Sequence, residues 1–348
     1  MSFFRRFMHQ KQKKCVVFIV MALFSLAPMR AIDFDVKTPD IWVGFKGTSE
    51  KDEDVVMLQR ALALKKVHGI ILFDRNIVNP HQVRSLVSFL TKNNGNIPVA
   101  IDQEGGTVRR LEENKGFFAC GAMPAAADYQ CNLSDIQTIH EAAAKEMKDV
   151  GITVVFGPVA DTNINPQCPI IGVRGRSFSD QSHQVINCCN TVISAYEKYG
   201  LTACLKHAPG HGSSTADSHK GSTDVTSTWS EQELDPFIQC CKKNPGCAIM
   251  MSHVMLRTLD PDFPASMSKK MVDFFRKKLM QSGVSQKPLL ISDAYDMKAI
   301  CDVYTPRQFL NQCGAAGLDV VLFYCADAFN AKYASLADFL NKELDIVV

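Results

Sequence analysis

Eight short apolar runs recur along this sequence, bounded by polar residues, Gly or Pro and separated by stretches of helical periodicity. They are Ile41–Phe45, Gly69–Phe73, Pro98–Asp102, Ile152–Asp161, Thr202–His207, Ala248–His253, Leu289–Asp293 and Leu318–Tyr324. Between them the helical pattern covers Asp52–Lys66, Pro80–Asn93, Ser134–Val150, Ser179–Tyr199, Ser230–Lys243, Lys269–Ser282 and Pro306–Ala316. A regular alternation of this kind argues βα repetition with a buried parallel sheet. Eight repeats in 348 residues fit a single (β/α)8 TIM-type barrel, with a doubly wound open sheet as the main rival. With 46% apolar residues the chain has enough material for one large core.

In a barrel, strand C-termini share one rim, where side chains converge on a common axis. Polar residues close the runs at Asp102, Asp161, Lys206, His207, His253 and Asp293. Any one of them is commonly no more than a helix cap or the start of a loop. All six together predict a site.

The balance of 38 basic against 36 acidic residues leaves little net field, which argues against electrostatic capture of nucleic acid. At the N-terminus Arg5, Arg6, Lys11, Lys13 and Lys14 precede an apolar run from Cys15 to Pro28. Its 14 residues fall short of the roughly 20 needed to span a bilayer. Residues 1–31 therefore read as a signal peptide, with an uncleaved anchor as the alternative. The expectation is an exported, periplasmic or extracellular monomer with no stable membrane insertion, its catalytic domain covering residues 32–348. Twelve of the 13 cysteines follow the leader. No Cys/His set has zinc-like spacing, so no metal is expected, and the cysteines read as small buried hydrophobes with one or two bridges.

Four segments carry candidate chemistry. In Lys206–Gly212 and the following Asp217-Ser218-His219, a charged pair closes a strand and a loop brings a carboxylate two residues from an imidazole. Alternate residues of an extended segment share a face, so Asp217 is placed to orient His219 as a general acid/base; a metal site or a structural turn is the competing reading. In Ile291–Met297, Asp293 ends a strand, where a rigid carboxylate suits attack on an anomeric carbon, and Asp296 reads as a helix cap. Ile101–Arg110 combines Asp102 with paired glycines and arginines suited to sugar hydroxyls, without a nucleotide-binding pattern. Phe156–Phe178 contributes a polar loop rich in Asn and Pro.

Together these segments resemble the β-N-acetylglucosaminidases of glycoside hydrolase family 3, whose bacterial members trim cell-wall muropeptides. The likeness runs in order through VGFKGT (43–48), GIILFDRN (69–76), IDQEGGTVRR (101–110), FGPVADTNINP (156–166), IGVRGRSF (171–178), KHAPGHG (206–212), DSH (217–219), MMSHVM (250–255) and SDAYDM (292–297). It implies Asp293 as nucleophile, His219 as acid/base with Asp217 as its partner, and Asp102, Arg110, Arg176, Lys206 and His207 as sugar-binding residues. The implied substrate is a small carbohydrate or muropeptide, cleaved without a cofactor. The IGVRGRSF segment is two residues longer than the family pattern, so Arg174 and Arg176 compete for one role, with Arg176 in the matching register. Thr107 replaces the first arginine of the usual GGRVxR, and Ala208 replaces the aromatic after the Lys-His pair. Phosphorolysis, and a non-catalytic barrel that binds wall sugars, are the alternatives.

Overall fold

The computed structural model describes residues 38–92, 94–325, 333 and 335–347. The leader, 1–31, lies outside the described residues. Eight parallel strands close into a barrel: β1 (Asp40–Gly44), β2 (Gly69–Leu72), β3 (Val99–Ile101), β4 (Val154–Val155), β5 (Thr202–Ala208), β7 (Ala248–Met251), β9 (Leu290–Ala294) and β10 (Val320–Phe323). Two short strands outside it, β6 (Thr223–Asp224) and β8 (Val254–Met255), pair with each other. All eight apolar runs supply a barrel strand, so the closed barrel replaces the open-sheet rival.

The runs read as continuously apolar because both faces of each strand are buried. Inward residues Trp42, Ile71, Ala100, Val154, Cys204, Ala248, Met250, Ile291, Val320 and Leu322 fill the barrel. Their neighbours Val43, Ile70, Leu72, Val99, Ile101, Val155, Ala203, Leu205, Ile249, Leu290 and Val321 belong to the core under the helices. Successive side chains alternate faces, so the residue two past the last inward apolar one again points at the axis. Counting two onward from Ala100, Cys204, Ile291 and Leu322 reaches Asp102, Lys206, Asp293 and Tyr324. These four residues line the same cavity. The strand period that packs the core thus also places the polar groups.

Elsewhere the outcome differs in detail from the pattern. The run Ile152–Asp161 forms only a two-residue ladder, because the chain leaves the sheet at Gly157-Pro158 and Pro has no N–H to donate; it rejoins through a single bridge, Val159 to Lys206. The helical stretch Ser230–Lys243 splits into a 3-10 turn, Glu231–Leu234, and a helix, Asp235–Lys243, with Pro236 in its first turn. An amphipathic helix at Leu336–Leu344, capped by Ser335, lies beyond the seven expected. All twelve cysteines after the leader are free thiols and most are buried; the expected one or two bridges are not formed.

Candidate active site

A cavity of about 300 Å³ opens at the C-terminal rim of the barrel. Its walls include Asp102, Glu104, Arg110, Arg174, Arg176, Lys206, His207, His219, Asp293, Asp296 and Tyr324. Seven of the eight residues singled out in the sequence line it directly; the eighth, Asp217, lies behind His219. A larger cavity of about 760 Å³ lies at the opposite rim, among Trp42, Val99, Val154, Thr202 and Ala248, and has no cluster of strand-end acids.

A buried ionic network forms one wall. Lys206 Nζ donates to Asp102 Oδ1 at 2.8 Å and lies 2.5 Å from Glu104 Oε1. Arg176 forms a fork with Glu104, its Nε and Nη2 each donating over 2.8 Å, while its Nη1 donates to the Ile170 carbonyl. Arg110 lies 3.7 Å from Asp102 Oδ2, and the Tyr324 hydroxyl is 3.3 Å from the same oxygen. Burial opposes ionisation of Glu104, but Arg176 and Lys206 hold its carboxyl far below the usual range. Asp102 and Glu104 are two residues apart and reach the same lysine. Gly105, at φ +101°, packs so closely on the Pro124 carbonyl that a Cβ there would stand 2.2 Å from its oxygen.

Glu104 belongs to the Ile101–Arg110 segment, but no local sequence pattern gives it a role. Its charge matters because two cations depend on it. Removing one member of a buried pair typically costs about 3–5 kcal/mol. Glu104→Gln is therefore expected to lower unfolding free energy by about 3 kcal/mol, measured by urea titration. A loss below about 1 kcal/mol would mean that Glu104 is not the counter-charge the network needs.

Asp161 anchors the second wall. Fully buried, its Oδ2 lies 2.7 Å from His207 Nδ1 and accepts from the His207 N–H, while its Oδ1 accepts from the His211 N–H. Burial opposes its charge, but His207 and His211 keep the carboxyl below the ordinary aspartate range. His207 is thereby turned to present Nε2, 3.3 Å from Arg176 Nη2, at the cavity. Burial, with His207 adding to it, pushes His211 down to about 4. The loop leaves no spare room: a Cβ on Gly212 would fall 1.8 Å from the Thr162 carbonyl oxygen.

Beneath that loop, burial pushes Glu233 up to about 7, and the charge on Asp161 adds to the shift. A carboxyl whose folded pKa is raised stabilises the fold while protonated, and loses that contribution as pH rises from about 4.5 through about 7. Between pH 5 and pH 8 the wild type is expected to lose on the order of 2 kcal/mol more stability than Glu233→Gln. Urea titrations of both proteins at the two pH values check this; parallel losses would show that Glu233 does not titrate there.

Asp293 lies at the end of β9, 8% exposed, with Oδ1 accepting from the Ala294 N–H at 2.8 Å. Burial opposes its ionisation, yet His253, His207 and His219 hold its carboxyl below the usual aspartate range. His253 does not line the cavity; it is tied to the Ala294 carbonyl and the Ser266 hydroxyl, steadying the strand end. Asp296 differs from the helix-cap reading. Its Oδ2 accepts the Tyr324 N–H at 2.7 Å, joining the ends of β9 and β10, and the N-cap of the short helix Lys298–Cys301 is Met297.

On the loop after β5, Asp217 Oδ1 lies 2.9 Å from His219 Nδ1 and accepts the His219 N–H. The carboxylate side chain is 8% exposed and the imidazole 58%, so a sheltered acid carries an open ring. Burial opposes the Asp217 charge, but hydrogen bonds from His219 keep its carboxyl low, with Arg174 contributing. With Nδ1 engaged, Nε2 is the nitrogen free to exchange a proton with a bound molecule.

The glycosyl hydrolase family 3 N-terminal domain matches residues 36–344. Beta-hexosaminidase A of Pseudoalteromonas piscicida is 32% identical over 314 residues, which cover 82% of this chain and 51% of that protein. Beta-hexosaminidase of Pasteurella multocida is 31% identical over 296 residues, covering 80% and 78%. Among solved structures, the glycoside hydrolase family 3 β-N-acetylglucosaminidase of Paenibacillus sp. FPU-7 has a TM-score of 0.71 at 27% identity, covering 82% of this chain and 53% of that one. NagZ from Neisseria gonorrhoeae, in complex with N-trifluoroacetyl-D-glucosamine, has a TM-score of 0.70 at 25% identity, covering 82% and 81%. The chain spans about half the length of the first and third of these relatives and about four fifths of the other two. By the domain match across its barrel and by these relatives, the chain belongs to glycosyl hydrolase family 3.

Proposed function

We propose that this chain is a β-N-acetylhexosaminidase that removes terminal N-acetylglucosamine from peptidoglycan-derived glycosides with retention of configuration. The observation that carries the reading is the shared cavity: a nearly buried Asp293, whose carboxyl is held below the usual aspartate range, and the Asp217-supported ring of His219 line a space of about 300 Å³ among polar and charged groups. That volume is at the lower end for small-molecule sites. The names of the relatives support the substrate class.

In the first step the Asp293 carboxylate forms a bond to the anomeric carbon while the glycosidic bond breaks, and His219 Nε2 gives its proton to the departing oxygen. In the second, His219 takes a proton from water, whose oxygen displaces Asp293 and frees the sugar. Asp217 accepts the Nδ1 hydrogen bond in both steps and favours the cationic ring when it forms. Asp102, Arg110, Arg176, Lys206 and His207 hold the sugar hydroxyls, using the polar atoms that their mutual pairing leaves facing the cavity.

The test is release of N-acetylglucosamine from defined muropeptides and from an aryl N-acetylglucosaminide by the purified protein. Failure to cleave either removes the reading. Export rests on the basic, apolar leader; fractionation with N-terminal sequencing of the mature protein tests it, and a soluble cytoplasmic protein retaining Met1 would exclude it.

A further inference from the structure

The cations around the cavity are not alike. Lys206 is shared between Asp102 and Glu104, Arg176 is forked onto Glu104, and Arg110 faces Asp102 and lies over the Phe73 ring. Arg174 also lines the cavity, yet has no hydrogen bond or ion pair among the described residues. It is exposed at the mouth, on the same side as the Asp217–His219 pair, whose carboxylate is close enough to feel its charge.

The turn that carries Arg174 is held in place. Val173 N–H donates to the Cys168 carbonyl, Gly175 N–H to Gly172, Arg176 N–H to Ile171, and the Gly175 carbonyl accepts from Ala127 N–H. Gly175 takes φ +61°, a conformation suited to glycine, and lets the chain reverse so that Arg174 and Arg176 both reach the cavity. Arg176 is tied into the buried network through Glu104 and the Ile170 carbonyl and offers the cavity only what that pairing leaves. Arg174 presents an unused guanidinium fork at the rim, supported by a rigid backbone.

Building on the proposed hexosaminidase reading, we infer that Arg174 is a specificity-determining residue that recognises a carboxylate on the leaving group. His219 must stand beside the departing oxygen, so the group attached to that oxygen lies on the side where Arg174 waits. A planar guanidinium pairs with a carboxylate through two parallel hydrogen bonds, and among the described residues no acid occupies that fork.

The experiment uses two N-acetylglucosaminyl disaccharides that differ only in whether the second sugar carries a carboxylate or its carboxamide. The readout is the ratio of kcat/KM for acid over amide in the wild type, Arg174→Gln and Arg174→Glu. Because Arg174 is at the surface, both variants are expected to fold, which circular dichroism checks. The expected result is a wild-type preference for the acid that falls about tenfold in Arg174→Gln, mainly through KM, and further in Arg174→Glu. An unchanged ratio, with kcat falling in parallel for both substrates, would overturn the inference, because Arg174 would then act by holding Asp217 ionised. Repeating the assay with inorganic phosphate separates the other source of an anion: sugar 1-phosphate that forms in the wild type and is lost in Arg174→Gln would assign the residue to an attacking phosphate and overturn it equally. Wild-type protein inactive on both disaccharides would instead remove the hexosaminidase reading, and this inference with it.

Discussion

Asp293→Asn is expected to lower kcat on an aryl N-acetylglucosaminide by ~10⁴-fold or more while leaving sugar binding largely intact. The substitution is isosteric, and an amide oxygen can still accept from the Ala294 N–H that Oδ1 uses now. What it removes is the negative charge that, in the proposed mechanism, makes the oxygen nucleophilic toward the anomeric carbon. The surrounding groups proposed to hold hydroxyls, Asp102, Lys206, His207 and Arg176, are secured by contacts that do not pass through Asp293. Calorimetric binding of N-acetylglucosamine to the variant should therefore stay close to wild type. Because the folded protein holds the Asp293 carboxyl below its ordinary range, the acid limb of the wild-type kcat/KM profile is expected below the pH at which a free aspartate would lose its charge. A variant that keeps a tenth of the activity would move the nucleophile elsewhere.

The barrel could be read from the sequence because burial on both strand faces turns each strand into an uninterrupted apolar run. The same periodicity made Asp102, Lys206 and Asp293 visible, since each is the first charged group on an inward parity. Asp217 and His219 were visible for a different reason: their hydrogen bond is local, between residues two apart. Glu104 was not assigned because its partners, Lys206 and Arg176, arrive from distant strands and loops; only the closed barrel brings them within bonding distance. Asp296 is the opposite case: its local position suggests a helix cap, but its main-chain partner, Tyr324, is 28 positions away. The cysteine bridges belong with Glu104. Whether two thiols meet depends on Cα and Cβ vectors that no spacing rule supplies.

His219→Ala is expected to separate substrates by the basicity of what leaves. A sugar alcohol departs poorly as an alkoxide, so loss of the proton donor should cut kcat/KM on a disaccharide by about 10³-fold. A nitrophenolate needs little help, and kcat/KM on the nitrophenyl glycoside should fall no more than about tenfold. In the proposed second step the same ring acts as base, so the covalent sugar–Asp293 ester should accumulate, visible as a burst of nitrophenol and as a lowered KM. Asp217→Asn should reproduce the pattern more weakly, because the amide can still contact Nδ1 but no longer offers a negative charge to the cationic ring. If both substrates lose the same factor in His219→Ala and no burst appears, the ring is not the proton carrier. The exposed imidazole would then be a rim contact, and the acid would have to be sought among the buried groups, such as Glu233, which burial pushes up to about 7 but which does not line the cavity.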